Sequence, residues 1–375
     1  MIRRRIALAV ALVLLLGPIA RSDEPIRLDQ IQVIGSHNSY HIAPSPEVLA
    51  LVGEKGASVA RGLDYTHRPL AEQFSELGIR QIELDVFADP EGGHYAHPAA
   101  RSILQGLGKP AGPDPNDRGQ LDKPGLKVFH VQDIDYRTTA PTFLEALRQV
   151  RDWSKAHPRH VPILVLVELK DGALPALPTH PRPFGKAVLD SVDAEIRSVF
   201  GEEDFLSPDD VRGTSSTLRD AIRERGWPVL DGVRGQVFFA LDNEGAIRSR
   251  YLEDHPGLQG RAMFATVPAD HPAAAWMKVN DPVADFDRIQ SLVKAGFLVR
   301  TRADANTAQA RTNDPSQRDR ALASGAQFVS TDYPEPRLDL SPYRVRLPGD
   351  VVARTNPVSP DAPRRDADWE GPTAR

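Results

Sequence analysis

Ile163-Leu164-Val165-Leu166-Val167-Glu168-Leu169-Lys170 is an apolar run that ends in two opposite charges. It reads as a strand of a parallel sheet, and a carboxylate at the end of so apolar a strand is costly unless something pairs with it. The pattern recurs in both directions along the chain. Strand-like runs are expected at 31–34, 80–87, 127–131, 163–169, 236–241, 261–267, 296–301 and 326–331, with helix-like stretches at 69–77, 141–157, 184–200, 283–295 and 316–323. Eight such units are what a (β/α)8 barrel requires, so the expected fold class is α/β, a TIM-type barrel in a single domain. The alternative is an open doubly wound sheet, but no glycine-rich phosphate turn follows an early strand.

The bulk properties narrow the setting. The chain has 375 residues, of which 41% are apolar and none is cysteine, so stability has to come from one large core. Arg3, Arg4 and Arg5 precede the apolar run 6–16, and Gly17, Pro18 and small residues follow; residues 1–22 read as a secretory signal. The run is shorter than the roughly 20 residues of a spanning helix, so a secreted or periplasmic product, monomeric, is expected. Cleavage would remove four arginines and take the formal charge from −5 to about −9, which argues against a nucleic-acid partner. Residues 89–125, rich in Gly, Pro, His and Asp, read as an insertion loop after the second strand, a candidate lid or lipid-facing rim. Residues 347–375 read as a disordered tail.

The chemistry-bearing residues collect at strand ends, where a barrel places its catalytic groups. They are His37 and Asn38 in Gly35-Ser36-His37-Asn38-Ser39-Tyr40, the pair Glu83 and Asp85, then His130, then Glu168. The i, i+2 spacing of Glu83 and Asp85 puts both carboxylates on one strand face, where they need a cation, a shared proton or water. Taken singly, each has an ordinary explanation: a loop cap, a salt bridge, a satisfied core histidine, a pair with Lys170. Together, on four successive strands, they offer a hard cation such as calcium its oxygen ligands and place two imidazoles beside it, a set suited to phosphoryl chemistry.

With Ile134-Asp135-Tyr136-Arg137, the run Val299-Arg300-Thr301-Arg302-Ala303-Asp304 and Ser330-Thr331-Asp332-Tyr333-Pro334, these motifs resemble, in order, those of the calcium-dependent phosphatidylinositol-specific phospholipases C of bacteria. The resemblance covers roughly residues 31–336. It implies calcium, with Mg2+ as the alternative, held by Asn38, Glu83, Asp85 and Glu168. It further implies that His37 stabilises the phosphoryl group, that His130 protonates the diacylglycerol oxygen and that Glu83 is a possible base. Lys170 and Arg300 become candidates for phosphate or inositol contacts, with an ordinary ion pair as the alternative for each. The chain departs from the eukaryotic pattern after His130, where Val131-Gln132-Asp133 follows, and His94 and His97 are then alternatives for the acid. A phospholipid or glycerophosphodiester substrate, with transient membrane contact, is implied. The rival readings are a glycerophosphodiester phosphodiesterase, which usually begins His-Arg-Gly where this chain has His37-Asn38-Ser39, and a silent barrel that binds lipid head groups.

Overall fold

The structure, a computed structural model, describes residues 25–363 and 367–371. The expected signal, 1–22, lies outside the described residues. Ten strands are present among them: β1 (Ile31–Ser36), β2 (Gln81–Phe87), β3 (Lys127–Val128), β4 (Ile163–Leu169), β5 (Val237–Leu241), β6 (Met263–Ala265), β7 (Trp276–Lys278), β8 (Leu298–Arg302), β9 (Phe328–Thr331) and β10 (Ala353–Thr355). Eight form one parallel sheet in the order β6-β5-β4-β2-β1-β9-β8-β7. The two outer strands approach each other through the Lys278 N–H, which donates to Thr266 Oγ1 at 2.8 Å, and the sheet is a nearly closed barrel. Seven of the eight expected barrel strands are in place.

The eighth is a correction. The run 127–131 is no barrel strand: only Lys127 and Val128 are extended, and they pair antiparallel with Phe87 and Val86 at the end of β2. The barrel strand in its stead is β7, within Ala273-Ala274-Ala275-Trp276-Met277-Lys278, which pairs with β8. Three residues, Trp276, Met277 and Lys278, that follow a run of alanines carry too little β-branched character to stand out.

The described part of the expected tail, 347–363 and 367–371, is a second correction, because it is ordered against the barrel. β10 pairs antiparallel with the first half of β1, so that Val33 meets Phe328 on one side and Ala353 on the other. β2 reaches β1 only at Gly35, and β10 covers the backbone this leaves open. Further on, the Trp369 N–H donates to the Ala353 carbonyl at 2.9 Å, and Glu370 forms a buried ion pair with Arg80, whose Nε donates at 2.7 Å. The insertion likewise contains order, a helix Ala99–Gly106 whose Ala100 and Leu104 pack with Val48 and Tyr136.

Local rules account for the helical layer. In Phe143–Ala156, Thr142 caps the N-terminus by accepting from the Glu145 N–H at 3.2 Å, and Phe143, Ala146, Leu147, Val150 and Trp153 bury one stripe against the barrel. Inside the barrel, Gly35 permits close packing of β1 on β2, because any Cβ there would collide with the Gln81 side chain. Among the described residues no helix is long and apolar enough to cross a membrane.

Candidate metal and phosphoryl-transfer site

The register of β2 against β4 sets Asp85 directly opposite Glu168, and two residues earlier on the same face of β2 stands Glu83. One oxygen from each of the three carboxylates lies within 4.8 Å of the others. Glu83 and Asp85 are buried, and the environment does not fully compensate them. Burial pushes Glu83 up to about 8, against the pull of Arg300, whose Nη2 is 2.5 Å from Oε2. Burial pushes Asp85 up to about 8 as well; Lys170 opposes this at 3.2 Å and Glu168 adds to it. Neither Asp85 oxygen accepts a well-directed hydrogen bond among the described residues, Lys170 notwithstanding, and Asn38 Oδ1 is also buried and unpartnered. Unspent oxygen donors beside crowded carboxylates fit a hard divalent cation.

His37 stands beside this cluster, its Nε2 3.5 Å from Glu83 Oε1. Its Nδ1 lies 2.7 Å from Asp332 Oδ1 at the end of β9, and the His67 Nε2–H donates to its backbone carbonyl at 2.8 Å. Burial, with Arg302 adding, holds the His37 imidazole down near 3. Burial works against charge on Asp332 too, but His37 and Arg302 outweigh it and hold that carboxyl well below the usual range. These two shifts conflict, because a neutral imidazole supplies no full charge to Asp332. The 2.7 Å contact places on Nδ1 a hydrogen that is donated to ionised Asp332, in the neutral and the charged ring alike. Arg302 Nη2 lies 3.3 Å from His37 Nδ1 and 3.5 Å from Asp332 Oδ2, so its charge sits beside both members of the pair.

His130 belongs to a second group. Its Nδ1 donates to Asp135 Oδ2 at 2.7 Å, and Asp135 also accepts from His41 Nε2 at 2.9 Å. His41 is fully buried, its Nδ1 faces the Tyr65 carbonyl at 3.0 Å, and its ring stacks on Tyr65 at 4.2 Å. Both nitrogens of His41 face acceptors, so both are satisfied only when each carries a hydrogen. Burial again opposes charge on Asp135, but His41 and His130 bring its carboxyl down to about 2. Asn38 joins the two groups by donating from Nδ2 to the Tyr65 hydroxyl at 3.0 Å.

The structure thus brings Glu83, Asp85 and Glu168 together with His37 beside them, and gives His130 its own carboxylate. Lys170 and Arg300 both sit in ion pairs. Lys170 Nζ is 3.2 Å from Asp85 and from Glu168; Arg300, fully buried, reaches Glu83, Ser330 Oγ at 3.0 Å and Asn280 Oδ1 at 2.6 Å. His94 is engaged on the insertion, Nε2 2.8 Å from the His180 carbonyl, and His97 is exposed. Sequence reasoning gave no role to His41, Asp135, Asp332 or Arg302. Three of them lay within the quoted runs, and His41 follows His37 by four residues, but their pairing is made across the barrel.

A model of the family described as phosphoinositide phospholipase C, Ca2+-dependent, matches residues 26–357. No curated protein matches the chain in sequence. Among solved structures, a calcium-dependent phosphatidylinositol-specific phospholipase C from Streptomyces antibioticus is similar at 17% identity and TM-score 0.52, over 82% of this chain and 95% of that one. A calcium-dependent phosphoinositol-specific phospholipase C from a Pseudomonas species is similar at 13% identity and TM-score 0.49, over 90% and 97%. The match of the family model over most of its length shows that the chain belongs to the calcium-dependent phosphoinositide phospholipase C family.

Proposed function

We propose that the protein is a calcium-dependent phosphodiesterase that cleaves the glycerol–phosphate bond of phosphatidylinositol. The observation that carries this reading is the gathering of Glu83, Asp85 and Glu168 at one end of the barrel beside His37 with its Asp332. Asn38, Glu83, Asp85 and Glu168 would hold the ion. A bound calcium would neutralise charge on the phosphoryl group and acidify the attacking hydroxyl.

The chain's own groups do the rest. The inositol 2-hydroxyl attacks phosphorus and gives up its proton, for which Glu83 is the candidate base. The bond from phosphorus to the diacylglycerol oxygen breaks, and His130 donates a proton to that oxygen from Nε2 while Asp135 holds Nδ1. The products are diacylglycerol and a cyclic inositol phosphate. His37, whose Nδ1 is held by Asp332, would stabilise the charge that builds on the equatorial phosphoryl oxygens as an imidazolium, donating the hydrogen on Nε2.

Phosphorus NMR of phosphatidylinositol digested with and without a chelator tests the reading. A cyclic inositol phosphate formed only without chelator is the expected result. Glycerol phosphate released from a deacylated diester would point to the glycerophosphodiesterase alternative, and no turnover on either would point to the silent barrel.

Residues 1–22 are proposed to direct export, and the insertion to make brief contact with membrane. Ile103 and Leu107, exposed on and just after the helix Ala99–Gly106, support that contact. Ile103→Asp with Leu107→Asp is expected to reduce cosedimentation with phosphatidylinositol vesicles but to leave hydrolysis of a water-soluble inositol phosphodiester intact. Equal loss on both substrates would contradict a membrane role.

A further inference from the structure

Lys170 follows β4 by one residue and points to the same face as Glu168. Its backbone N–H donates to the Val86 carbonyl at 2.8 Å, which fixes the start of its side chain beside the carboxylates. Its Nζ lies 3.2 Å from Asp85 Oδ2 and 3.2 Å from Glu168 Oε1, two of the three carboxylates that gather at the mouth. The third, Glu83, holds Arg300. Ionised, the three carry three negative charges and face two cations of the chain itself. Those two differ in freedom. Arg300 is locked on Glu83, Ser330 and Asn280 and has 1% of its side chain exposed. Lys170 has 25% exposed, and its flexible four-carbon stem gives the ammonium a route to water.

We propose that Lys170 is a displaceable cation that competes with the divalent ion for Asp85 and Glu168 and thereby sets a weak calcium affinity. The proposal rests on the calcium reading above and assigns Lys170 a role distinct from direct contact with substrate. An ammonium and a dication do not share the same carboxylate oxygens, because their repulsion is strong where water is scarce. Binding the ion therefore requires Lys170 to leave, and the lost ion pairs subtract from the affinity. Affinity at oxygen sites follows ligand charge count, so a built-in positive charge moves the site toward the millimolar end, roughly 10⁻⁴ to 10⁻³ M, as in extracellular modules.

Calcium titration by calorimetry on the full chain, without substrate, tests this with no reference to turnover. The variants are Lys170→Met, which keeps the stem, Lys170→Gln, which keeps polarity, and Asp85→Asn as the site control; thermal melting identifies any that fails to fold, in which case the other lysine variant decides. A unit charge a few ångströms away shifts an ionic equilibrium by about one to three decades. Both lysine variants are expected to bind calcium at least about tenfold more tightly than the unmodified chain, and Asp85→Asn to lose the site. Unchanged or weaker affinity in the lysine variants, with binding still abolished by Asp85→Asn, would overturn the proposal and leave the calcium centre standing. No binding in any variant, or binding indifferent to Asp85→Asn, would overturn both.

Discussion

Asp332→Asn probes the His37 arrangement with one atom changed. Asp332 is buried, and its Oδ1 accepts the Nδ1–H of His37 at 2.7 Å, so Nε2 is the nitrogen turned toward Glu83. An asparagine there offers an amide that donates as readily as it accepts, and the proton on His37 is no longer confined to Nδ1. A histidine in the wrong tautomer forfeits most of its contribution, on the order of 10² to 10⁴ in rate. Turnover on phosphatidylinositol is therefore expected to fall by about that factor in kcat, with KM little changed, because the loss falls on the transition state. Stability should respond with a definite sign. Asp332 is held below the usual carboxyl range, so its contribution is fully present above the unfolded pKa of about 3.9 and fades as pH falls through the folded value. The melting temperature of Asp332→Asn should fall below that of the parent at pH 7, and the gap should narrow in strong acid. A variant whose kcat stays within about tenfold of the parent would refute the reasoning, since one tenfold step is only 1.4 kcal/mol of barrier.

Three further outcomes follow from named contacts. His130→Ala should lose roughly 10² to 10⁴ in rate on phosphatidylinositol but far less on an inositol aryl phosphodiester, whose leaving group needs no proton; equal losses would remove His130 from the acid role. His41→Asn leaves Asp135 without its second imidazole, and nitrogen NMR of His130 should report a changed tautomer balance together with a lower kcat; an unaltered His130 spectrum would make His41 a packing residue only. Glu370→Ala strands the fully buried Arg80, and breaking such a pair costs about 3–5 kcal/mol, so urea unfolding should shift accordingly. An unmoved midpoint would mean that the C-terminal residues add nothing to the barrel.

Much of the barrel was legible because its central strands are chemically distinct. The apolar run 163–169 admits one reading, and it is β4. What was hidden is short or is fixed by tertiary contact. β7 is three residues long, and β10 is defined by the stretch of β1 that it covers, in a segment whose Pro, Asp and Arg content matches that of disordered chain. At 127–131 a strand-like composition was present, but the antiparallel turn back onto β2 took it out of the barrel. The same division holds at the site. The i, i+2 spacing placed Glu83 and Asp85 on one face, and the β2–β4 register then delivered Glu168. The carboxylates that orient the histidines were not readable, because Asp332 is 295 residues from His37 in sequence, and Asp135, only five from His130, gains its meaning from His41 across the barrel mouth.

The central claim is that oxygens from β2, β4 and the turn after β1 surround one divalent ion. Diffraction from crystals grown in calcium, with data collected to reveal anomalous scattering, tests it most directly. The account predicts one strong peak bounded by the side-chain oxygens of Asn38, Glu83, Asp85 and Glu168 at about 2.3–2.6 Å, with Lys170 moved away. A peak elsewhere, or none at the mouth with Lys170 still seated between Asp85 and Glu168 at saturating calcium, would contradict it.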